Sequence, residues 1–313
     1  GLRSETRLRF EIEHPHLWST DTPHLYDVKL KLTTNRTNAI DTVTSHVGLR
    51  EISVIDGELR LNNQPLYLRG VLDQGYFPKG WYTAPTDEDI RRDVELTLAM
   101  GFNCARKHQK AEDPRYLYWA DKLGLLVWAE MPSGRIFSTE LIETLTGEWV
   151  DLVKRDRCHP CVMAWVPFNE SWGVWHQSTR PAQRAFVDGI AGLTKALDTS
   201  RCVVGNDGWE FSSGDLWTLH VYAEGRDIAA RLAHVTADPG ASVTDEYGGQ
   251  KRAGALPEAT VHRLPILLTE CGGIGFGRYG DSDFSYGDIP QTAAALERQI
   301  CDVTEMIKAA DTL

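Results

Sequence analysis

Asp113-Pro114-Arg115-Tyr116-Leu117-Tyr118-Trp119-Ala120-Asp121-Lys122-Leu123-Gly124-Leu125-Leu126-Val127-Trp128-Ala129-Glu130 is the passage that decides the fold. Asp113 is a good N-cap, and Pro114 suits a first helical position, where its missing N–H costs nothing. Gly124 can take the left-handed backbone that closes a helix. Leu125 to Ala129 is then a continuous apolar run, not an alternating one. A strand with no polar face is covered on both sides, as in a parallel sheet flanked by helices. The passage is therefore one αβ unit of a parallel α/β protein, and it ends on a carboxylate.

Similar units flank it. Thr86-Asp87-Glu88-Asp89 reads as a capping box, opening a helix whose Ile90, Val94 and Leu98 recur every fourth residue until Gly101. Buried strands are expected at Leu66–Val71, Phe102–Arg106, Leu125–Ala129, Val162–Phe168, Cys202–Gly205, Leu216–Tyr222 and Ile266–Thr269. A last helix is expected from Ile289 onward, with Leu296, Ile300, Val303 and Ile307 on one face. These seven strands fall one short of a closed barrel. The expected fold is α/β, a TIM (β/α)8-type barrel lacking its last βα unit.

The first fifty residues follow another rule. Leu8-Arg9-Phe10-Glu11-Ile12-Glu13 and Leu25 to Leu32 alternate apolar with polar, and Thr33–Asn38 is a polar turn between strands. That stretch is too short for a whole sandwich, so it reads as the final strands of one whose beginning is absent. The expected division is a partial β-sandwich over 1–52 and the barrel over 53–313.

Bulk properties narrow the partners. The chain has 313 residues and a net charge of −11, which argues against nucleic acid or an anionic membrane as partner. No apolar run reaches the ~18 residues of a membrane span. Gly1-Leu2-Arg3-Ser4 shows no apolar leader but reads as the middle of something, so the compartment stays open, with the cytoplasm slightly favoured. Cys158-His159-Pro160-Cys161 has redox or zinc spacing, but no second pair accompanies it, so the cysteines read as incidental. Asn35-Arg36-Thr37 is formally a glycosylation sequon, meaningful only in a secreted eukaryotic protein.

In a barrel of this kind, chemistry sits where strands run out at their C-terminal ends. Reading those ends gives Asp73-Gln74, Arg106-Lys107-His108, Glu130, Asn169-Glu170, Asn206-Asp207, His220 with Tyr222, and Glu270. Asp207 is weak by this reading, since Asn206-Asp207-Gly208 is also a good turn. Two strong carboxylate candidates on one rim, Glu170 and Glu270, fit glycoside hydrolysis, in which a pair of carboxyl groups flanks the scissile bond. Glycines after Glu270 allow close backbone approach.

Trp165-Val166-Pro167-Phe168-Asn169-Glu170-Ser171-Trp172-Gly173 resembles the acid/base signature of glycoside hydrolase family 2, and Leu268-Thr269-Glu270-Cys271-Gly272-Gly273 its nucleophile segment. His16-Leu17-Trp18, Pro23-His24-Leu25-Tyr26 and Val47-Gly48-Leu49-Arg50 resemble the immunoglobulin-like domain that precedes the barrel there, and Leu61-Asn62-Asn63-Gln64-Pro65 its entry. The resemblance implies that residues 1–52 are immunoglobulin-like, that Glu170 is the acid/base and that Glu270 is the nucleophile. It implies that Asn169 bonds the sugar 2-hydroxyl and that Arg106, with Tyr222, keeps Glu270 ionised. Asp73, His108, Trp172 and His220 complete the expected substrate site, and Trp175 and Trp209 offer faces for sugar rings.

Two departures from the family pattern stand out. In Arg106-Lys107-His108-Gln109-Lys110 the histidine comes one place early. Glu130-Met131-Pro132-Ser133 replaces the acidic and histidine magnesium ligands of the best-known β-galactosidases, so no metal and no cofactor are expected. The function implied is a retaining exo-β-glycosidase, β-galactosidase ahead of β-glucuronidase or β-mannosidase, acting on a glycoside or oligosaccharide. The chain is compatible with a homo-oligomer. The reading from another class is a non-catalytic carbohydrate-binding protein or an inactive fragment, motivated by the missing eighth strand and the absent N-terminal domain.

Overall fold

The structure is a computed structural model that describes residues 8–33, 40–222, 227–244, 251–276, 285–286 and 288–310. An antiparallel hairpin, β1 (Tyr26–Thr33) and β2 (Ile40–Val47), comes first, in unbroken register from Tyr26↔Val47 to Thr33↔Ile40. Its connecting turn, with the Asn35 sequon, lies outside the described residues. A short antiparallel meander follows: β3 (Ile52–Ile55), β4 (Glu58–Leu61) and β5 (Gln64–Pro65). Leu59 of this meander is buried in the same apolar cluster as the barrel strands.

The barrel proper then alternates strand and helix at every step but one. It runs β6 (Gly70–Asp73), α1 (Asp87–Ala99), β7 (Cys104–Lys107), α2 (Pro114–Leu123), β8 (Leu126–Glu130) and α3 (Thr139–Asp156). It continues with β9 (Val162–Val166), α4 (Pro181–Leu197), β10 (Cys202–Val203), β11 (Trp217–His220), α5 (Asp227–Ala237), β12 (Ile266–Glu270) and α6 (Ala293–Ala310). Strands β6 to β10 form one parallel sheet in chain order, and β11 pairs in parallel with β12. Among the described residues the barrel thus has seven strands, in two sheets.

Local chemistry explains the boundaries. Thr86 caps α1 by accepting from the Asp89 N–H, and Asp113 caps α2 by accepting from Arg115. Gly124 closes α2 at φ +84°, and a Cβ there would lie 2.4 Å from the Thr20 carbonyl oxygen. Backbone conformation and close approach both demand glycine. Every residue of β8 and β9 is buried, as their uninterrupted apolar runs require. Trp149 and Trp165, both fully buried, meet edge to face at 6.0 Å between α3 and β9.

Several strands begin or end one to four residues from the expected bounds, and two of these differences have a visible cause. The first begins at Gly70 rather than Leu66, because the Asn103 side chain takes the Tyr67 carbonyl and the Arg69 N–H out of any ladder. The fifth is cut to Cys202–Val203, since Gly205 donates to the Ser213 carbonyl and Asp215 to that of Val203. The last helix starts at Ala293, not Ile289. No helix among the described residues is long and apolar enough to cross a membrane.

Hairpin and barrel meet through a buried carboxylate. Asp121 Oδ2 lies 2.7 Å from His46 Nε2 and 2.6 Å from His159 Nδ1, while its Oδ1 accepts from the Cys161 N–H at 2.9 Å. A Cβ on Gly48 would come within 2.6 Å of Pro160 Cγ. His159-Pro160 is thus a docking element, and the flanking Cys158 and Cys161 are both free thiols.

Candidate active site

The C-terminal ends of β7, β9, β11 and β12 deliver their polar side chains to one point. Arg106 Nη1 donates to Glu270 Oε1 at 2.5 Å, and Nη2 donates to Asn169 Oδ1 at 2.7 Å. The Tyr222 hydroxyl donates to the other oxygen of Glu270. His220 Nδ1 lies 2.8 Å from Glu170 Oε1, and its Nε2 lies 3.5 Å from Glu270 Oε1. A carboxylate oxygen of Glu170, a ring nitrogen of His220 and a carboxylate oxygen of Glu270 all lie within 4.8 Å of one another. His108 Nδ1 stands 3.0 Å from Glu130 Oε2 and 3.8 Å from Glu270 Oε1.

Of the residues singled out from sequence, Glu170, Glu270, Arg106, Asn169, His108, His220 and Tyr222 share this cluster. Asp73 is engaged with the loop after β6, accepting from the Gly75 N–H at 2.6 Å and pairing with Lys107. Trp172 sits on the turn after Glu170, edge-on to Trp175 at 4.5 Å. Trp209 is buried and packs 5.9 Å from the His220 ring, which makes it part of the wall behind that histidine.

Two residues central to the cluster were undervalued by sequence reasoning. Asp207 is fully buried, pairs with Arg106 Nε at 2.9 Å and accepts from the Thr269 hydroxyl at 2.7 Å. Glu130, also buried, pairs with Arg106 and accepts from the Gln109 N–H at 2.7 Å. Strand-end position was the signal for both.

The backbone at Glu170 is unusual. Glu170 and Ser171 have φ of +51° and +57°, a costly region for residues with side chains. The Glu170 N–H donates to the Asp207 carbonyl at 2.9 Å and the Ser171 N–H to Asn206 Oδ1 at 2.9 Å. The Ser171 hydroxyl donates to Glu210 at 2.6 Å. These bonds hold the turn that aims Glu170 inward. Beyond Glu270, the space left by Gly273 is filled by Tyr286, which stacks on Tyr222 at 3.9 Å.

Electrostatics favours an ionised Glu270. Burial opposes its charge, but His220, Arg106, His108 and the Tyr222 hydroxyl outweigh burial and hold its pKa below the usual value. Burial likewise opposes a charge on His220, yet Glu270, Asp207 and Glu170 push its pKa up to about 10. Asp207 is held low against burial by Arg106 and His220. Burial, then the Glu270 charge, raises the Tyr222 phenol, so it remains a donor.

Gly208 makes room for His220. At φ +102°, a Cβ on Gly208 would sit 2.5 Å from His220 Nδ1. Gly208→Ala is expected to cost about 1–3 kcal/mol in backbone strain and to displace His220 from Glu170. Thermal unfolding and turnover should both fall; a variant unchanged in both would contradict this packing.

Two carboxylates facing each other across a barrel rim form the kind of site that glycosidic-bond hydrolysis calls for. Comparison with known proteins agrees. Residues 2–50 match the model of glycosyl hydrolases family 2, and residues 52–270 match that of the family's TIM barrel domain. The chain belongs to glycosyl hydrolases family 2. It is 30% identical over 194 residues to a β-galactosidase of Pectobacterium atrosepticum, covering 56% of this chain and 19% of that protein. A β-galactosidase of Lactococcus lactis is 29% identical over 213 residues, covering 65% and 20%. The chain therefore spans about a fifth of the length of these relatives. In fold it is similar to a β-D-glucuronidase of Dictyoglomus thermophilum, with a TM-score of 0.72 at 18% identity, over 96% of this chain and 51% of that one. A β-galacturonidase of Eisenbergiella tayi gives 0.70 at 20% identity, over 94% and 50%.

Proposed function

We propose that residues 53–313 carry the chemistry of a retaining exo-β-glycosidase, with Glu270 as nucleophile and Glu170 as acid, then base. The observation that carries this reading is a Glu270 carboxylate fixed by Arg106 and Tyr222, with a Glu170 oxygen within 4.8 Å of it. Such closeness favours double displacement, which needs carboxyls ~5–5.5 Å apart, over inversion, which needs ~6.5–9.5 Å to admit a water. Glu270 attacks the anomeric carbon while Glu170 protonates the departing oxygen. A covalent glycosyl-enzyme forms, and Glu170 then deprotonates the water that releases the sugar. Asn169, oriented by Arg106, bonds the sugar 2-hydroxyl in this scheme. His108, His220 and Trp172 complete the pocket, with Asp73 contributing from the neighbouring loop.

A β-galactoside is the preferred substrate in this reading. The curated relatives at about 30% identity are β-galactosidases. The cations near the end of β7 also favour a neutral sugar over a uronate. Arg106, Lys107 and Lys110 are each paired with carboxylates of the chain and so are committed within the protein. A panel of aryl β-glycosides (galactoside, glucuronide, mannoside, glucoside, arabinoside) tests this. The galactoside should turn over fastest, releasing the β-anomer first. A faster glucuronide would overturn the specificity. Sugar binding without turnover on the whole panel would establish the carbohydrate-binding reading instead.

A further inference from the structure

The seam between the hairpin and the barrel holds a second polar cavity, at the opposite end of the strands from Glu170. It has a volume of about 260 Å³ and is lined by Arg50, Arg157, Arg201, His46, Ser200 and Cys158, among others. No carboxylate is among the lining residues, in a chain whose net charge is −11. We propose that this cavity binds a tetrahedral oxyanion, either free phosphate or the phosphoryl group of a small metabolite.

Arg50 carries the argument. Its Nε donates to the Pro160 carbonyl at 3.0 Å, Nη1 to that of Ser200 at 2.9 Å and Nη2 to that of Val162 at 2.7 Å. Three carbonyls orient the guanidinium without neutralising it, and two of its five N–H groups are left over. Among the described residues it forms no ion pair with a carboxylate. Arg201 stands nearby, with its own charge answered by Asp198 at 2.7 Å. Burial and then the Arg201 charge push the Arg50 pKa down to about 10, so the pocket disfavours its own cation. The charge of a bound anion offsets that cost.

Arg157 supplies a second charge. It is exposed, spends one N–H on the Leu197 carbonyl at 2.9 Å and forms no ion pair among the described residues. Guanidinium forks match phosphate oxygens two at a time, which selects an oxyanion over chloride. The volume far exceeds the ~10–15 Å³ that one water needs, so an organic group attached to the phosphate also has space.

Calorimetry at constant ionic strength, with inorganic phosphate, glucose 6-phosphate and glucose as probes, decides the matter. Saturable one-to-one binding is expected for the first two and none for glucose. Equal affinities identify the free oxyanion as ligand, and tighter glucose 6-phosphate identifies a phosphorylated metabolite. Arg157→Gln should weaken binding about tenfold without lowering the thermal midpoint. Cys158→Asp, which places a carboxylate in the lining, should abolish it. Absence of saturable binding by both phosphates, or affinity unchanged in both variants, would overturn the proposal. The readout is binding alone, so it stands or falls apart from the glycosidase reading.

Discussion

Glu270→Gln is expected to reduce turnover on the preferred aryl β-glycoside by on the order of 10⁵-fold, the scale of losing a covalent nucleophile. An amide has nearly the shape of the carboxylate, so the variant should fold and bind sugar. What it loses, under the proposed mechanism, is the atom that bonds to the anomeric carbon. The charge matters as well. Arg106, His220 and His108 converge on Glu270, and a neutral amide leaves their field unanswered at the point where positive charge develops on the sugar. The wild-type pH profile should show the same arrangement. Glu270 is held below the usual carboxylate range, so its active, ionised form is present above that lowered pKa and is lost as pH falls through it. The acidic limb of kcat/KM should therefore lie below that of an ordinary glutamate. Turnover by Glu270→Gln within tenfold of wild type would remove Glu270 from the nucleophile role.

Much of this arrangement can be read in the sequence because it is local. Helix caps at Thr86 and Asp113, the stop at Gly124 and the apolar runs of β8 and β9 each follow from neighbouring residues. A glutamate directly after such a run is placed on the rim by strand geometry alone, which is why Glu170 and Glu270 stand out. Asp207 does not, because Asn206-Asp207-Gly208 fits a turn equally well. Only the convergence of β7, β11 and β12 shows that its carboxylate faces Arg106 and Thr269. Glu130 is obscured similarly, since its partners Arg106 and His108 are set by sheet register rather than by spacing. The shortened first strand has a long-range cause too: a side chain 34 residues away, that of Asn103, takes over the Arg69 N–H. Alternation and apolar runs reveal which face is buried, but not which side chain will compete for a backbone group.

Glu170→Ala should produce a loss that depends on the leaving group, which separates an acid/base residue from a merely structural one. For an alkyl or sugar aglycone, whose oxygen must be protonated as it departs, the first step should slow by about 10³- to 10⁴-fold. A dinitrophenolate leaves without a proton, so glycosylation of Glu270 should remain close to wild type with that substrate. The second step would then limit, because no base activates the water. The glycosyl-enzyme should accumulate, lowering KM together with kcat. Azide, which needs no deprotonation and fits the space vacated by the carboxylate, should restore turnover and yield a β-glycosyl azide. His220 provides the internal control: it touches Glu170 at 2.8 Å but reacts with neither substrate nor water in this scheme. His220→Asn removes a positive charge beside Glu270 and should move the acidic limb upward, with no azide rescue and no dependence on the leaving group. Equal losses by Glu170→Ala for every aglycone, or rescue by azide in His220→Asn as well, would assign the proton transfer to a residue other than Glu170.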